Sequence, residues 1–309
     1  MNKKAYVFSV LAMLVIAIIF SLLVLRTEQA ARSDSLQAHI LSANTFLEQF
    51  EQDLPRAISI TGYRSLLGLD QHVSSTGSFL NNFSASFQEI ILNGTVNESS
   101  YEVMDDATLG VFQERMQDIA GQVGIGLDIQ IISVSAKHTT PFDILVTAQV
   151  QLVLQTRDAS TQWNYTRNVS SEFSIAQLRD PLYTIGSAGR LPTVVRPVNV
   201  SRPFITTDND TTNLQIIFNE SLYQADTSGP SFLMRFEGII APHEHGIASL
   251  VDTQALDAQD IPVFLDRSVV DYAYFGSGST TTNTIVNMPA HFLLADEHLA
   301  AYDAEDKTT

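Results

Sequence analysis

The sequence predicts an α+β protein. An N-terminal transmembrane helix continues into an amphipathic stalk helix, helices pack on an antiparallel β meander, and a second mixed α/β or β-rich domain follows. Three observations carry this reading. The chain opens with an uncharged apolar run, apolar repeats of helical spacing follow it, and past residue 127 the apolar period changes to 2.

Lys3 and Lys4 precede residues 5–25, which carry no charge and hold Ser9 and Ser21 as hydroxyl residues. Twenty-one residues at about 1.5 Å each reach roughly 31 Å, the thickness of a bilayer's hydrocarbon core. A cleaved signal peptide has a shorter core, about 7–15 residues. Residues 5–25 are therefore expected to stay as an anchor in the lipid bilayer, with 1–4 as a cytoplasmic n-region. The positive-inside rule leaves the bulk of the chain extracellular.

Composition fits an exterior location. Eight Asn-x-Ser/Thr sequons lie beyond the span, at Asn82, Asn93, Asn97, Asn164, Asn168, Asn199, Asn209 and Asn219. With 14 asparagines and 55 serines plus threonines in 309 residues, chance gives about two or three such matches, so eight mark a surface set out for N-linked glycans. There is no cysteine, which excludes a disulfide framework and thiolate chemistry. Glycosylation without cystines points to an archaeal cell surface. Beyond Lys3 and Lys4 the chain has 15 basic and 34 acidic residues, a net −19. Such repulsion is tolerable where salt cuts the Debye length to about 3 Å, near 1 M, so a halophilic setting is expected. No basic stripe exists to neutralise phosphates, which excludes nucleic acid as partner.

Residues 26–68 read as stalk. Leu36, Ile40, Ala43, Leu47, Phe50 and Leu54 form one narrow seam at spacings of 4, 3, 4, 3 and 4. Pro55 is expected to end this helix and start another. The seam is expected to pack within its own chain. Residues 69–191 form the first extracellular α+β domain. Leu80, Phe83, Phe87 and Ile90 predict one helix closed by Asn93-Gly94, and Leu109, Phe112, Met116, Ile119 and Val123 predict another. Strands are expected over 127–136, with a bulge at Ile131-Ile132, and over 143–156 and 163–175. In the last, Trp163, Tyr165, Val169, Phe173 and Ile175 share the buried face and Asn164 and Asn168 the other. Residues 192–203 read as an extended connector. In the second domain, 204–302, a helix is expected over 214–224, strands over 232–236, 247–251, 269–275 and 284–287, and a short helix over 295–301. Residues 303–309 read as a disordered tail.

Chemical motifs are sparse. His243 and His245, two apart on an extended segment, could face one divalent metal ion, the cofactor such a pair would take, with His291 and His298 in the same domain. The zinc-protease spacing His-Glu-x-x-His is absent. Residues 208–211 space carboxylates as a calcium loop does, without its glycine and distal glutamate. The glycine-serine clusters at 186–189 and 276–279 lack the spacing of a nucleophile elbow. No catalytic constellation emerges, so the expectation is not an enzyme.

In architecture residues 1–175 resemble type IV pilins, a long helix half in the membrane and half on a meander. A prepilin leader would be cut near Lys4-Ala5, but the glutamate usual at the fifth mature position of bacterial pilins is absent. Six strings, DLPRAISITGYRSLL (53–67), RDPLYTIGSAGRL (179–191), GPSFLMRFEG (229–238), GIASLVD (246–252), SVVDYAYF (268–275) and TIVNMPAHFLL (284–294), resemble an uncharacterised group of single-span, glycosylated surface proteins from small-genome archaea. That resemblance implies location and architecture and no activity. The expected function is a structural, adhesive or cell-contact role at the membrane, touching identical or other surface proteins. A pilin-like subunit polymerising through its N-terminal helix is the first alternative, and a ligand-binding or enzymatic ectodomain the second.

Overall fold

The computed structural model describes residues 3–156, 162–276 and 281–308; inside the first helix, the side chains of 3–12, 14, 15, 28–36, 38 and 39 lie outside the description. So do the segment between the two strands expected over 143–156 and 163–175, most of the 276–279 glycine-serine cluster and the Leu36 side chain. The fold is α+β with antiparallel sheets.

Helix α1 runs unbroken over Lys3–Thr76 and contains Pro55, so the break expected there does not occur. Proline in a helix interior costs about 3 kcal/mol. Leu54, Ile58, Leu66, Leu69 and Val73 are all buried on the same helix. Each such burial is worth about 1.5–3 kcal/mol, and together they outweigh the proline. Gly77, at φ 63°, ends the helix by donating its N–H to Val73 O at 2.9 Å. Among the described residues no helix is long and apolar enough to cross a membrane; described side chains in the expected span begin at Met13 and resume at Ile16.

Asn82 caps α2 (Phe83–Asn93) by accepting from Ala85 N at 2.8 Å, and Gly94 closes it at φ 76°. Leu80, Phe83, Phe87 and Ile90 are buried as their spacing requires. A small hairpin, β1 (Thr95–Val96) and β2 (Ser99–Ser100), leads to α3 (Leu109–Gln122). There the expected seam is wrong at its end: Ile119 and Val123 are exposed, while Ala120 is buried and Phe112 and Met116 half-buried. The inward row runs 112, 116, 120, at i+4 steps, because a small residue lets the backbone approach on that side.

The meander is β3 (Ile125–Thr140), β4 (Asp143–Thr156) and β5 (Gln162–Ser174), in that order. Ile144, Val146, Ala148, Val150, Leu152 and Leu154 are all buried, at strict period 2. On β3 the inward set is odd-numbered through Ile131 and even-numbered from Val134, with Ile132 and Ser133 both exposed between. This is the phase slip expected of a bulge.

The chain divides into two compact units. One holds residues 1–53, 115–129 and 152–165; the other holds 54–114, 130–151 and 166–309. Connector residues 192–203 and the segments on both sides of them thus share one unit. In the first unit the buried side chains include Ala43, Phe46 and Phe50 of α1, Ala120 of α3, Ile125 and Ile129 of β3, and Leu152 and Leu154 of β4. Of the stalk seam, Ala43, Phe50 and Leu54 are buried, while Ile40 and Leu47 are half-buried.

In the second unit α1 lies close on the sheet. A Cβ on Gly62 would meet Phe173 Cε1 and Val146 Cγ2 at 3.0 Å, and Tyr63 packs edge-on against Phe173. Overpacking of this kind costs about 1–3 kcal/mol. Gly62→Val is thus expected to lower the melting temperature of the purified chain; an unchanged transition would show that the contact yields freely.

The rest of this unit consists of short elements: α4 (Pro181–Gly186), α5 (Thr212–Asn219), β6 (Gln224–Ala225), α6 (Phe232–Arg235), β7 (Ile247–Ala248), α7 (Thr253–Asp257), α8 (Asp271–Phe275), β8 (Thr282–Thr284) and β9 (Leu293–Ala295). Their core joins Leu182, Phe204, Leu214, Ile217, Val270, Phe292 and Tyr302, among others. Two expected strands are helical. In 232–236 a helical turn places Phe232, Arg235 and Phe236, at i, i+3 and i+4, together in the interior, whereas a strand would split them. In 269–275 only Val269 and Val270 are extended, Val251 N donating to Val269 O and Leu250 bridging Val270, before α8 begins. The strand expected over 247–251 is β7 plus that bridge, and helix 214–224 stops at Asn219. In 284–287 the end of β8 is followed by a bridge from Ile285 to Thr308 before Asn287 turns at φ 58°, and 295–301 forms two 3-10 turns. Residues 192–197 pair back on 177–180 and Tyr223. The expected tail is also tied down: Ala304 is buried, Asp303 Oδ2 accepts from Phe204 N at 2.8 Å, and Val286 N donates to Lys307 O.

Candidate functional site

The most distinctive surface is on α1. Met13, Ile16, Ile18, Ile19, Phe20, Leu22, Leu23, Val24 and Leu25 are all exposed, from 41% for Val24 to 74% for Met13. Runs such as 18–20 and 22–25 cover every face of the helix. A globular helix hides one apolar stripe; one that is apolar all round is ordinarily covered on every side, by protein or by lipid. Nothing described in the chain covers this stretch.

The sequons occupy the outside of the fold. Asn82, Asn93, Asn97, Asn164, Asn168, Asn199 and Asn219 are exposed and Asn209 half-buried. On β5 the expected phase holds, with Val169 buried, Trp163 and Tyr165 half-buried and both asparagines outward. A glycan is attached at Nδ2, so Asn82 can cap α2 through Oδ1 and still be an acceptor site. At Asn209, Oδ1 takes a hydrogen bond from Lys307 Nζ at 2.7 Å.

His243 and His245 are brought together with a third imidazole absent from the sequence reading. His138 on β3 lies 6.4 and 6.3 Å from their ring centres, and they lie 5.8 Å from each other. The ring nitrogens are largely committed. His138 Nδ1 donates to Thr140 O at 3.2 Å and Nε2 accepts from Leu233 N at 3.4 Å, while His243 Nδ1 accepts from His245 N at 3.0 Å. Among the described residues no group of three or more His, Cys, Asp or Glu is placed to hold a metal ion. His291 and His298 have other partners, Gln254 and Ser268.

Burial, with smaller contributions from His243 and His245, pushes the His138 imidazole down to about 4. A folded-state pKa below the ordinary 6.5 favours the neutral ring, so its contribution is whole above pH 6.5 and is lost as pH falls towards 4. The span corresponds to at most about 3 kcal/mol. His138→Phe is expected to flatten the pH dependence of unfolding between pH 6.5 and 4. An unchanged slope would remove His138 as its source.

The interior of the second unit holds a polar cluster. Arg235 NH1 donates to Asp180 Oδ2 at 2.5 Å and to Asp271 Oδ2 at 2.8 Å, NH2 reaches Asp271 Oδ1 and Ile247 O, and all three side chains are fully buried. Asp180 also caps α4, accepting from Leu182 N at 2.8 Å, and accepts from Tyr223 OH at 2.9 Å. Asp271 accepts from Ser249 N and Oγ. Burial alone would loosen the Arg235 proton; Asp180 and Asp271 reverse this, and its pKa stands above the ordinary value. The cluster is sealed from solvent, so no substrate reaches it. Its chemistry is that of a clamp joining α4, α6, β7 and α8.

The sequence reading missed Asp180, Arg235 and Asp271 as a group, because buried charges look like surface charges in a sequence. Yet residues 179–191, 229–238, 246–252 and 268–275, four of the strings quoted from the sequence, supply the clamp's residues. No protein-family model, curated protein or solved structure matches the chain.

Proposed function

We propose that the chain is a single-pass, N-glycosylated cell-surface protein. It is anchored in the bilayer through residues 5–25, with the N-terminus cytoplasmic and the globular units outside, in a structural or adhesive role. The observation that carries this is the all-round exposure of apolar side chains on α1 from Met13 to Leu25. Such a surface is costly in water and favourable in lipid, and the helix satisfies its own backbone there. Two further observations support it: the lysine pair before the apolar run, and seven exposed sequon asparagines beyond it. A sealed, buried clamp suits a scaffold better than an enzyme. The archaeal resemblance agrees in location.

Polymerisation in the pilin manner is a distinct outcome. Ala43, Phe50 and Leu54 of the stalk seam are buried within the chain, so pilin-like contacts would run chiefly through the exposed apolar stretch of α1. Intact mass of the protein from its own membranes, combined with alkaline extraction, tests the proposal. A retained Lys3-Lys4 and resistance to extraction are expected. Loss of the leader up to residue 4 would favour the pilin reading, and release by alkali would reject the anchor.

A further inference from the structure

A cleft of about 590 Å³ opens between the end of α1, the start of α2 and the β1–β2 hairpin, all within the second unit. Its size falls within the about 300–1,000 Å³ of small-ligand sites. Two of the sequon asparagines, Asn82 and Asn97, line it.

The lining is chemically selective. The chain carries a net −17, yet the cleft's one carboxylate, on Glu89, is already committed. Its Oε1 accepts from Thr95 Oγ1 at 2.9 Å and Glu98 N at 3.5 Å, and its Oε2 from Asn97 N at 3.2 Å. His72 is likewise engaged, its Nδ1 2.6 Å from Tyr101 OH. The remaining polar lining includes the hydroxyl of Ser86 and the amide of Asn81; Ser99 is engaged with Tyr101, Ser78 Oγ donates to Thr76 O at 3.5 Å, and the half-buried Phe79 ring packs against Gly238. Neutral hydroxyl and amide groups around one aromatic face suit a neutral polyhydroxylated ligand, a sugar. Its ring hydroxyls would exchange hydrogen bonds with them and its C–H face would lie on Phe79.

We infer that this cleft seats the glycan carried by Asn82, so that the sugar packs between α2 and the hairpin as part of the fold. The inference rests on the proposed glycosylation. Asn82 is fixed by its cap bond to Ala85 N, with a backbone of φ −154° and ψ 108°, so the attachment point already sits on the cleft wall. A tethered ligand has an effective concentration in the millimolar range, so even a weak sugar contact is occupied.

The test uses the full chain purified from its own membranes in detergent. Ser84→Ala removes the sequon hydroxyl while keeping the Asn82 cap, and alanine is favourable inside α2. Glycopeptide mass spectrometry reads occupancy, and hydrogen exchange reads the amides of 78–81 and 97–100. Asn82 should be occupied in the wild type. In Ser84→Ala those amides should exchange at least about 5-fold faster while the α2 amides do not change, and Asn164→Gln should leave both regions unaltered. Occupied and unoccupied glycoforms of the unaltered sequence give the same comparison if the variant folds poorly. Occupancy at Asn82 without any change in exchange overturns the inference and leaves the glycosylation reading standing. An empty Asn82 with other sequons filled also overturns it, and no glycan at any sequon overturns both.

Discussion

Arg235→Met is expected to lower the unfolding free energy by about 3–5 kcal/mol, because it leaves the Asp180 and Asp271 carboxylates buried without their cation. Domains are held by about 5–15 kcal/mol in total, so this one substitution removes a large share. The cause is separable from lost volume. Asp180→Asn and Asp271→Asn added to Arg235→Met remove the orphaned charges; Tyr223 OH and the Ser249 N–H and hydroxyl still find amide oxygens to donate to, while Leu182 N and Tyr272 N lose theirs. The triple variant is expected to recover part of the loss, since an uncompensated buried charge costs more than an unpaired N–H. Near-ultraviolet circular dichroism during urea unfolding reports it, because Tyr183 and Tyr223 are buried beside the clamp. A triple variant no more stable than Arg235→Met would mean that the damage is steric.

Ile16→Lys combined with Ile19→Lys is expected to detach the protein from the membrane. Both side chains are exposed on α1. A lysine near the centre of a span costs about 2.5–3.5 kcal/mol on insertion scales, so two amount to roughly 5–7 kcal/mol. That offsets the gain from the remaining apolar residues, and the chain should move to the soluble fraction. Because translocation would fail with insertion, the glycans should disappear with it. A double variant that stays in the membrane with its glycans would place the anchor elsewhere.

Much of this architecture was legible in the sequence, and the boundary of legibility is physical. Strand β4 shows its alternation openly because one face is wholly buried and the other faces water. Helix α2 was readable at its C-terminal end because Asn93-Gly94 closes a 3, 4, 3 repeat, whereas its start at Phe83, capped by Asn82 and after Leu80, was not. The slip at Ile131-Ile132 was visible because period 2 makes a one-residue insertion reverse the pattern. The second half was less readable. Five-residue apolar runs such as 232–236 fit a strand or a helical turn equally, and tertiary contacts decided; here the burial of Arg235 did so. Pro55 misled because a local rule was overridden by the buried residues around it. His138 could not be paired with His243 and His245 by sequence, since the three meet only through the packing of β3 on the 242–246 turn. The sequons needed no structure to be found, and the fold adds that seven of the eight face outward.

The central claim is that α1 crosses the membrane once and leaves everything beyond it outside. Protease added to intact cells tests this most directly, with the N-terminal tail and the region after residue 33 followed by separate tags. The account predicts that the region after residue 33 is digested or shortened while the N-terminal tag survives until the cells are lysed. Full protection of that region in intact cells, with digestion only after lysis, would contradict it.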